Sequence, residues 1–248
     1  MANNSETGHA KNVSNFESLI SFIKGYGATY NPSKDSIKVD ALETILTNAK
    51  ESMANIDNVL PAYTNAVSAR ESAFEPLGKL ITRVNNAIKA TDTTENVDES
   101  VKTLVRKLQG TRATAKISDE EKQQQTTEGK EVNQISASQM GYDNRLGNFN
   151  KLIMLLSSIP QYVPNEEDLK ISTLTALYED LKTKNTAVVN ATTPLSNARI
   201  ARNDVMYKPL SGLVDCAADA KVYIKSVFGA SSPQYKQVSK LEFKSLAK

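Results

Sequence analysis

The sequence has no tryptophan, one cysteine and one histidine, and aromatic residues make up only 6% of its 248 positions. Each shortage removes a class of chemistry. Cys216 has no second cysteine to pair with, so no intramolecular disulfide can form. His9 lies in the polar opening stretch "MANNSETGHAKN", expected to be a disordered tail. A nucleophilic triad would therefore lack a fixed base, and zinc or Glu-x-x-His di-iron sites would lack their ligands. The ten glycines are dispersed, and neither G-x-x-x-x-G-K-[ST] nor G-x-G-x-x-G occurs. "GYG" at Gly25–Gly27 reads as a turn. The carboxylates Glu166, Glu167 and Asp168 read as helix-start charges, and a polysaccharide cleft would need stacking aromatics. The longest apolar run, "LIMLL" at Leu152–Leu156, is too short for a membrane span or a signal peptide core. A net charge of +2 exerts no global pull on nucleic acid or an anionic membrane. These readings point to a cytoplasmic, non-enzymatic protein with no catalytic residue, cofactor or metal.

What the sequence does have is repetition. "NFESLISFIKGYGATYNPSKDSIKVDAL" from Asn15 is matched by "NFNKLIMLLSSIPQYVPNEEDLKISTL" from Asn148. Phe16 meets Phe149, Leu19 meets Leu152, Tyr30 meets Tyr162, Pro32 meets Pro164 and Lys38 meets Lys170. Further on, "NAVSARESAFEPL" faces "NARIARNDVMYKPL", so that Arg70 meets Arg202 and Pro76 meets Pro209. "VKTLVRKLQG" faces "AKVYIKSVFG", after an insertion in the first copy around "TDTTENVDES". An ordered series of matches with small gaps is the mark of a duplicated unit. The expected organisation is a tail at 1–12, repeat unit 1 at 13–110, a polar linker at 111–145 and repeat unit 2 at 146–248.

Within a unit the pattern is helical. From Leu42, steps of four and three meet Leu46, Ala49, Met53, Ile56, Leu60, Tyr63, Val67, Arg70, Phe74, Leu77, Ile81, Val84 and Ile88. That spacing is a coiled-coil seam, roughly 70 Å long if unbroken at about 1.5 Å per residue. Pro61, Pro76, Pro194 and Pro209 interrupt the two seams, and each is expected to bend its helix. A short helix precedes each long one, with Phe16, Leu19, Ile20 and Ile23 on one apolar face and Phe149, Leu152, Ile153 and Leu156 on its copy. Strand signals are weak, with β-branched residues scattered and no sustained alternation. The predicted fold is all-α: two tandem homologous units, each a short helix plus a long Pro-bent helix, in an elongated antiparallel bundle.

Two sets of residues are candidates for a role beyond the core. Lys102, Arg106, Lys107, Arg112 and Lys116 form a basic stretch without an intervening acid, able to hold an anionic partner. It has no interleaved aromatics, and Asp119–Glu121 could neutralise it in cis. Arg70 and Arg202 sit on apolar seams, where they would set the register between helices. Their heads are expected to meet a carboxylate such as Glu71, Glu75 or Asp204. Cys216, in "VDCAADAK", reads as a small core residue.

The stretches "NFESLISFIKGYG", "YNPSKDSIKV", "ARIARNDVMYKPLSGLVD" and "YIKSVFGASSPQYKQVS" resemble a family of tandem-repeat helical proteins from Bacteroidota bacteria, over most of the chain. The resemblance implies a bacterial origin and brings with it no activity, cofactor or site residue. The expected function is a structural or protein-interaction module that binds a protein partner or itself, with no small-molecule substrate. The alternatives are a membrane-active helical protein and a nucleic-acid-associated protein using the basic stretch 101–116.

Overall fold

The computed structural model describes residues 4–111 and 140–245, with side chains from residue 8 onward. All regular structure among these residues is helical. The helices are α1 (Asn4–Gly25), α2 (Val39–Phe74), α3 (Leu77–Lys89), α4 (Glu95–Gln109), α5 (Tyr142–Ser157), α6 (Ile171–Tyr207), α7 (Leu213–Phe228) and α8 (Pro233–Ser239). Short 3-10 turns at Asp35–Ile37 and Glu167–Leu169 lead into α2 and α6.

The fold has two compact units. One is Met1–Tyr63 together with Ala191–Lys248, and the other is Thr64–Asn190. The chain passes between them inside α2 and again inside α6. Each unit therefore takes a short helix from one half of the chain and the helices after the long helix from the other half.

In the first unit, Phe16, Leu19, Ile20 and Ile23 of α1 pack with Leu42 of α2, Met206 of α6 and Leu213, Cys216, Ala217, Ala220 and Ile224 of α7. In the second, Phe149, Leu152, Ile153 and Leu156 of α5 pack with Phe74 of α2, Leu77, Ile81, Val84 and Ile88 of α3, and Val101, Val105 and Leu108 of α4. Burying each of the larger side chains, the Phe, Leu, Ile, Val and Met residues, stabilises the fold by about 1.5–3 kcal/mol. Trp-free, aliphatic packing of this kind relies on many such terms rather than a few large ones.

The aligned tyrosines do the same work. Tyr30 and Tyr162 are buried. A buried hydroxyl must find an acceptor. Tyr30 Oη donates to the Ile37 carbonyl at 2.7 Å, and Tyr162 Oη to the Leu169 carbonyl at 2.9 Å. Each bond closes the turn between a short helix and the long helix that follows.

The prolines divide into two kinds. Pro61 and Pro194 lie inside α2 and α6. In each case the proline and the residue four before it, Asp57 or Asn190, are exposed, so water can serve the carbonyl that loses its N–H partner. Pro76 instead follows the end of α2 and caps α3, where its missing N–H costs nothing. Pro209 follows the end of α6 and opens a turn in which Leu210 takes a positive φ of 68° and Gly212 comes against the Lys208 backbone. A Cβ on Gly212 would lie 2.6 Å from Lys208 N, so this close approach requires glycine.

Residues 4–12, expected to be a disordered tail, are the first turns of α1. His9 is only 3% exposed, with Nδ1 2.6 Å from the Tyr207 hydroxyl. The physical reason lies at the other end of the chain. Asn12 Nδ2 donates to the Lys244 carbonyl at 2.8 Å, its Oδ1 accepts from the Lys244 N–H at 2.9 Å, and Asn15 Nδ2 donates to the Glu242 carbonyl at 2.7 Å. The extended segment 241–245 so held brings Phe243 edge-on against Phe16, with centroids 6.4 Å apart. Most of the predicted linker, residues 112–139, lies outside the described residues.

Burial, with Glu166 and Asp168 adding to it, pushes the Tyr162 phenol up to about 12. The ordinary value in an unfolded chain is about 10. The stability tied to the neutral phenol is thus complete below pH ~10 and is lost as the pH rises through about 12. Tyr162→Phe should lower unfolding free energy by about 1 kcal/mol at neutral pH and flatten the alkaline loss in that window. Urea denaturation followed by circular dichroism from neutral to alkaline pH checks both. An unchanged midpoint would remove this bond from the fold's essential contacts.

Candidate functional site

Of the basic stretch, Lys102, Arg106 and Lys107 are on α4, whereas Arg112, Lys116 and the acids Asp119–Glu121 lie outside the described residues. Lys102 pairs with Glu99 one turn earlier on the same helix. That hydrogen bond, with Arg106 and Lys89 nearby, holds the Glu99 carboxyl below its usual range. Glu99 thus offsets the charge of Lys102, while any role of Asp119–Glu121 lies outside the described residues. The opposite face of α4 carries the core residues Val101, Val105 and Leu108.

Arg70 is half-buried and reaches no carboxylate directly. Its guanidinium carbon lies 3.8 Å from the ring centroid of Tyr142, and Nη1 donates to Asn185 Oδ1 at 3.1 Å. Asn185 Nδ2 in turn donates to Asp143 Oδ1 at 2.7 Å. The amide relays the charge to the carboxylate, so the acid expected beside Arg70 stands one residue further along the network. Nearby, Arg145 Nη2 donates to the Phe74 carbonyl at the end of α2, at 3.1 Å. Burial pulls the Arg145 guanidinium below its ordinary value. Arg202 is buried in the other unit, and its Nη2 donates to Asn203 Oδ1 at 2.9 Å. The structure brings Arg70 and the basic residues of α4 into one unit without joining them in a site.

Cys216 is fully buried on α7. Burial, helped by Asp219, pushes its thiol up, and the nearby Lys34 only partly opposes this. A thiolate is the reactive species, so the side chain acts as a small apolar group. Among the described residues, no group of three or more His, Cys, Asp or Glu is arranged to hold a metal ion, and no helix is long and apolar enough to cross a membrane.

A groove of about 520 Å³ lies between α3 and the turn leading into α6. Ala87 of α3 and Ala90 just past its end form one wall, and Tyr162, Val163 and Pro164 form the other. Asn86, Asn165 and Glu166 supply polar atoms at its rim. Arg83 makes a two-armed ion pair with Asp168 beside it. The volume falls in the range of about 300–1,000 Å³ usual for ligand sites. The groove was not anticipated from sequence, because the repeat alignment set α7 against α4. Burial sets α7 against α3 instead: Leu77, Ile81, Val84 and Ile88 are buried in the same spacing as Leu213, Ala217, Ala220 and Ile224. The two 3-10 turns agree with this, Glu167–Leu169 packing on α3 and Asp35–Ile37 on α7.

Comparison with protein-family models, curated proteins and solved structures finds no match to the chain.

Two measurements test these assignments. In a double-mutant cycle of Arg70→Ala and Asn185→Ala, the coupling should be about 1 kcal/mol. Additive losses would show that the pair does not act together. Cys216 should react with a thiol reagent at least ~100-fold more slowly in the native protein than in denaturant. Comparable rates would contradict its burial.

Proposed function

We propose that the protein is a non-enzymatic structural or protein-interaction module, built from two duplicated helical units and working in a bacterial cytoplasm. The observation that carries this reading is the apolar surface. Val163 and Leu210 are more than 75% exposed, and Met154, Val189, Ile200 and Val222 are each at least 60% exposed. These side chains occur in both units and belong to helices or turns whose other faces are already packed. Single exposed apolar residues are ordinary, but six so fully exposed, with Val163 lining the groove, favour a protein partner or a second copy.

The polar interior supports the same reading. The phenols of Tyr30 and Tyr162, and the amides of Asn12 and Asn15, are spent on backbone groups of their own unit. Arg70 and Arg202 then act as register residues inside their units. Association with nucleic acid has less support, because Lys102 is tied to Glu99.

The mass in solution tests the proposal. Light scattering over a concentration series, followed by native mass spectrometry, should give a mass above the 27.1 kDa of one chain or a stoichiometric protein companion. A monomer at every concentration that carries a metal, a small molecule or nucleic acid would overturn it.

A further inference from the structure

We infer that the groove beside Ala87 is a docking site for an aromatic side chain, a tyrosine by its internal template, presented by a partner protein. The template is in the other unit. When α3 is set against α7 by its buried positions, Ala87 takes the place of Tyr223. When the turns are set together by Tyr30 and Tyr162, Asn31 takes the place of Val163.

In the first unit that place is filled. The Tyr223 ring stands perpendicular to the Tyr30 ring with centroids 5.2 Å apart, and its hydroxyl accepts from the Asn31 N–H at 3.3 Å. Edge-to-face pairs at centroid separations of about 4.5–7 Å are attractive. In the second unit the equivalent tyrosine, Tyr162, lines an open groove, and α3 offers the methyl of Ala87 where α7 offers a phenol. Most of the surrounding frame is kept. The turn still packs on the helix, the buried hydroxyl still donates to the carbonyl seven residues on, and an ion pair still ties turn to helix, Arg83 with Asp168 in place of Lys34 with Asp219.

The frame differs in three respects: the ion pair is reversed in polarity, the 3-10 turn Gly27–Thr29 has no counterpart, and one backbone donor is engaged. The Val163 N–H is turned back to the Gln161 carbonyl, at 3.0 Å. A docked hydroxyl would instead meet Asn86, Asn165 or Glu166 at the rim. The ring must come from outside the chain's undescribed part, since residues 112–139 contain no Phe, Tyr or Trp. Val163, 77% exposed at the edge of the groove, offers the partner's flanking residues an apolar contact. The inference rests on the interaction reading for the source of the ring.

The test is an amide-resolved NMR titration of the full chain with N-acetyl-tyrosinamide, with N-acetyl-leucinamide as control. The tyrosine derivative should shift the amides of Ala87, Tyr162 and Val163 with millimolar affinity, and the leucine derivative should leave them in place. Ala87→Tyr should fill the groove from within and abolish the shifts. Tyr223→Ala should open the equivalent place beside Tyr30 and add a second set of shifts at Tyr30 and Asn31, which keeps the test decisive if Ala87→Tyr does not fold. Absent shifts, equal shifts with leucine, or shifts unchanged in Ala87→Tyr would overturn the groove assignment and leave the interaction reading to the mass measurement. Specific shifts in a protein that stays monomeric without any companion would overturn the partner as the source of the ring.

Discussion

A hydroxyl buried beneath a turn has to find an acceptor, and the acceptor it finds fixes where the following helix starts. Tyr30 and Tyr162 each take the carbonyl seven residues on, at the end of a 3-10 turn. The bond fixes the reversal between a short helix and a long one, and Leu42 and Leu174, both fully buried, then enter the core at the same point of the first turn. Without that closure, α1 and α5 would have no fixed approach to the long helices, and the apolar faces that begin with Phe16 and Phe149 would lose their partners. The bond adds little energy beside the apolar contacts, but it sets the geometry in which they are made.

Much of this was legible in the sequence, because the helix period and the matched tyrosines leave local traces. The faces built on Phe16 and Phe149 are buried as their spacing implies, and the break at Pro76 follows from the missing N–H. The fate of Pro61 and Pro194 was harder to read. Whether a proline ends a helix depends on whether water can reach the orphaned carbonyl, and that is set by tertiary exposure. The place of His9 leaves no local trace for a related reason. Its burial depends on contacts with Tyr207 and with the segment around Lys244, nearly the whole chain away. The trace that could have revealed it is "GHAKNVSNF" against "GYDNRLGNF", where His9 stands opposite Tyr142.

The candidate groove was invisible for a different reason. A missing side chain leaves no motif. Ala87 is an unremarked alanine on a helix until the two compact units are laid side by side, and only that comparison turns a small residue into an open place. Likewise, the partner of Arg70 could not be read from charge, since an amide stands between the guanidinium and Asp143. Charge patterns along a sequence name the acids and bases, but not the neutral groups that relay between them.

The division of the chain also sets an order of assembly. Thr64–Asn190 is one continuous stretch, whereas the other unit joins Met1–Tyr63 to Ala191–Lys248. During synthesis, the continuous unit has all of its residues while α1 is still waiting for α7 and for the segment that binds Asn12 and Asn15. The apolar face of Phe16, Leu19 and Ile23 thus leaves the ribosome before the continuous unit and is covered after it. Closing so long a loop is slow. That face is where a chaperone would have most to protect.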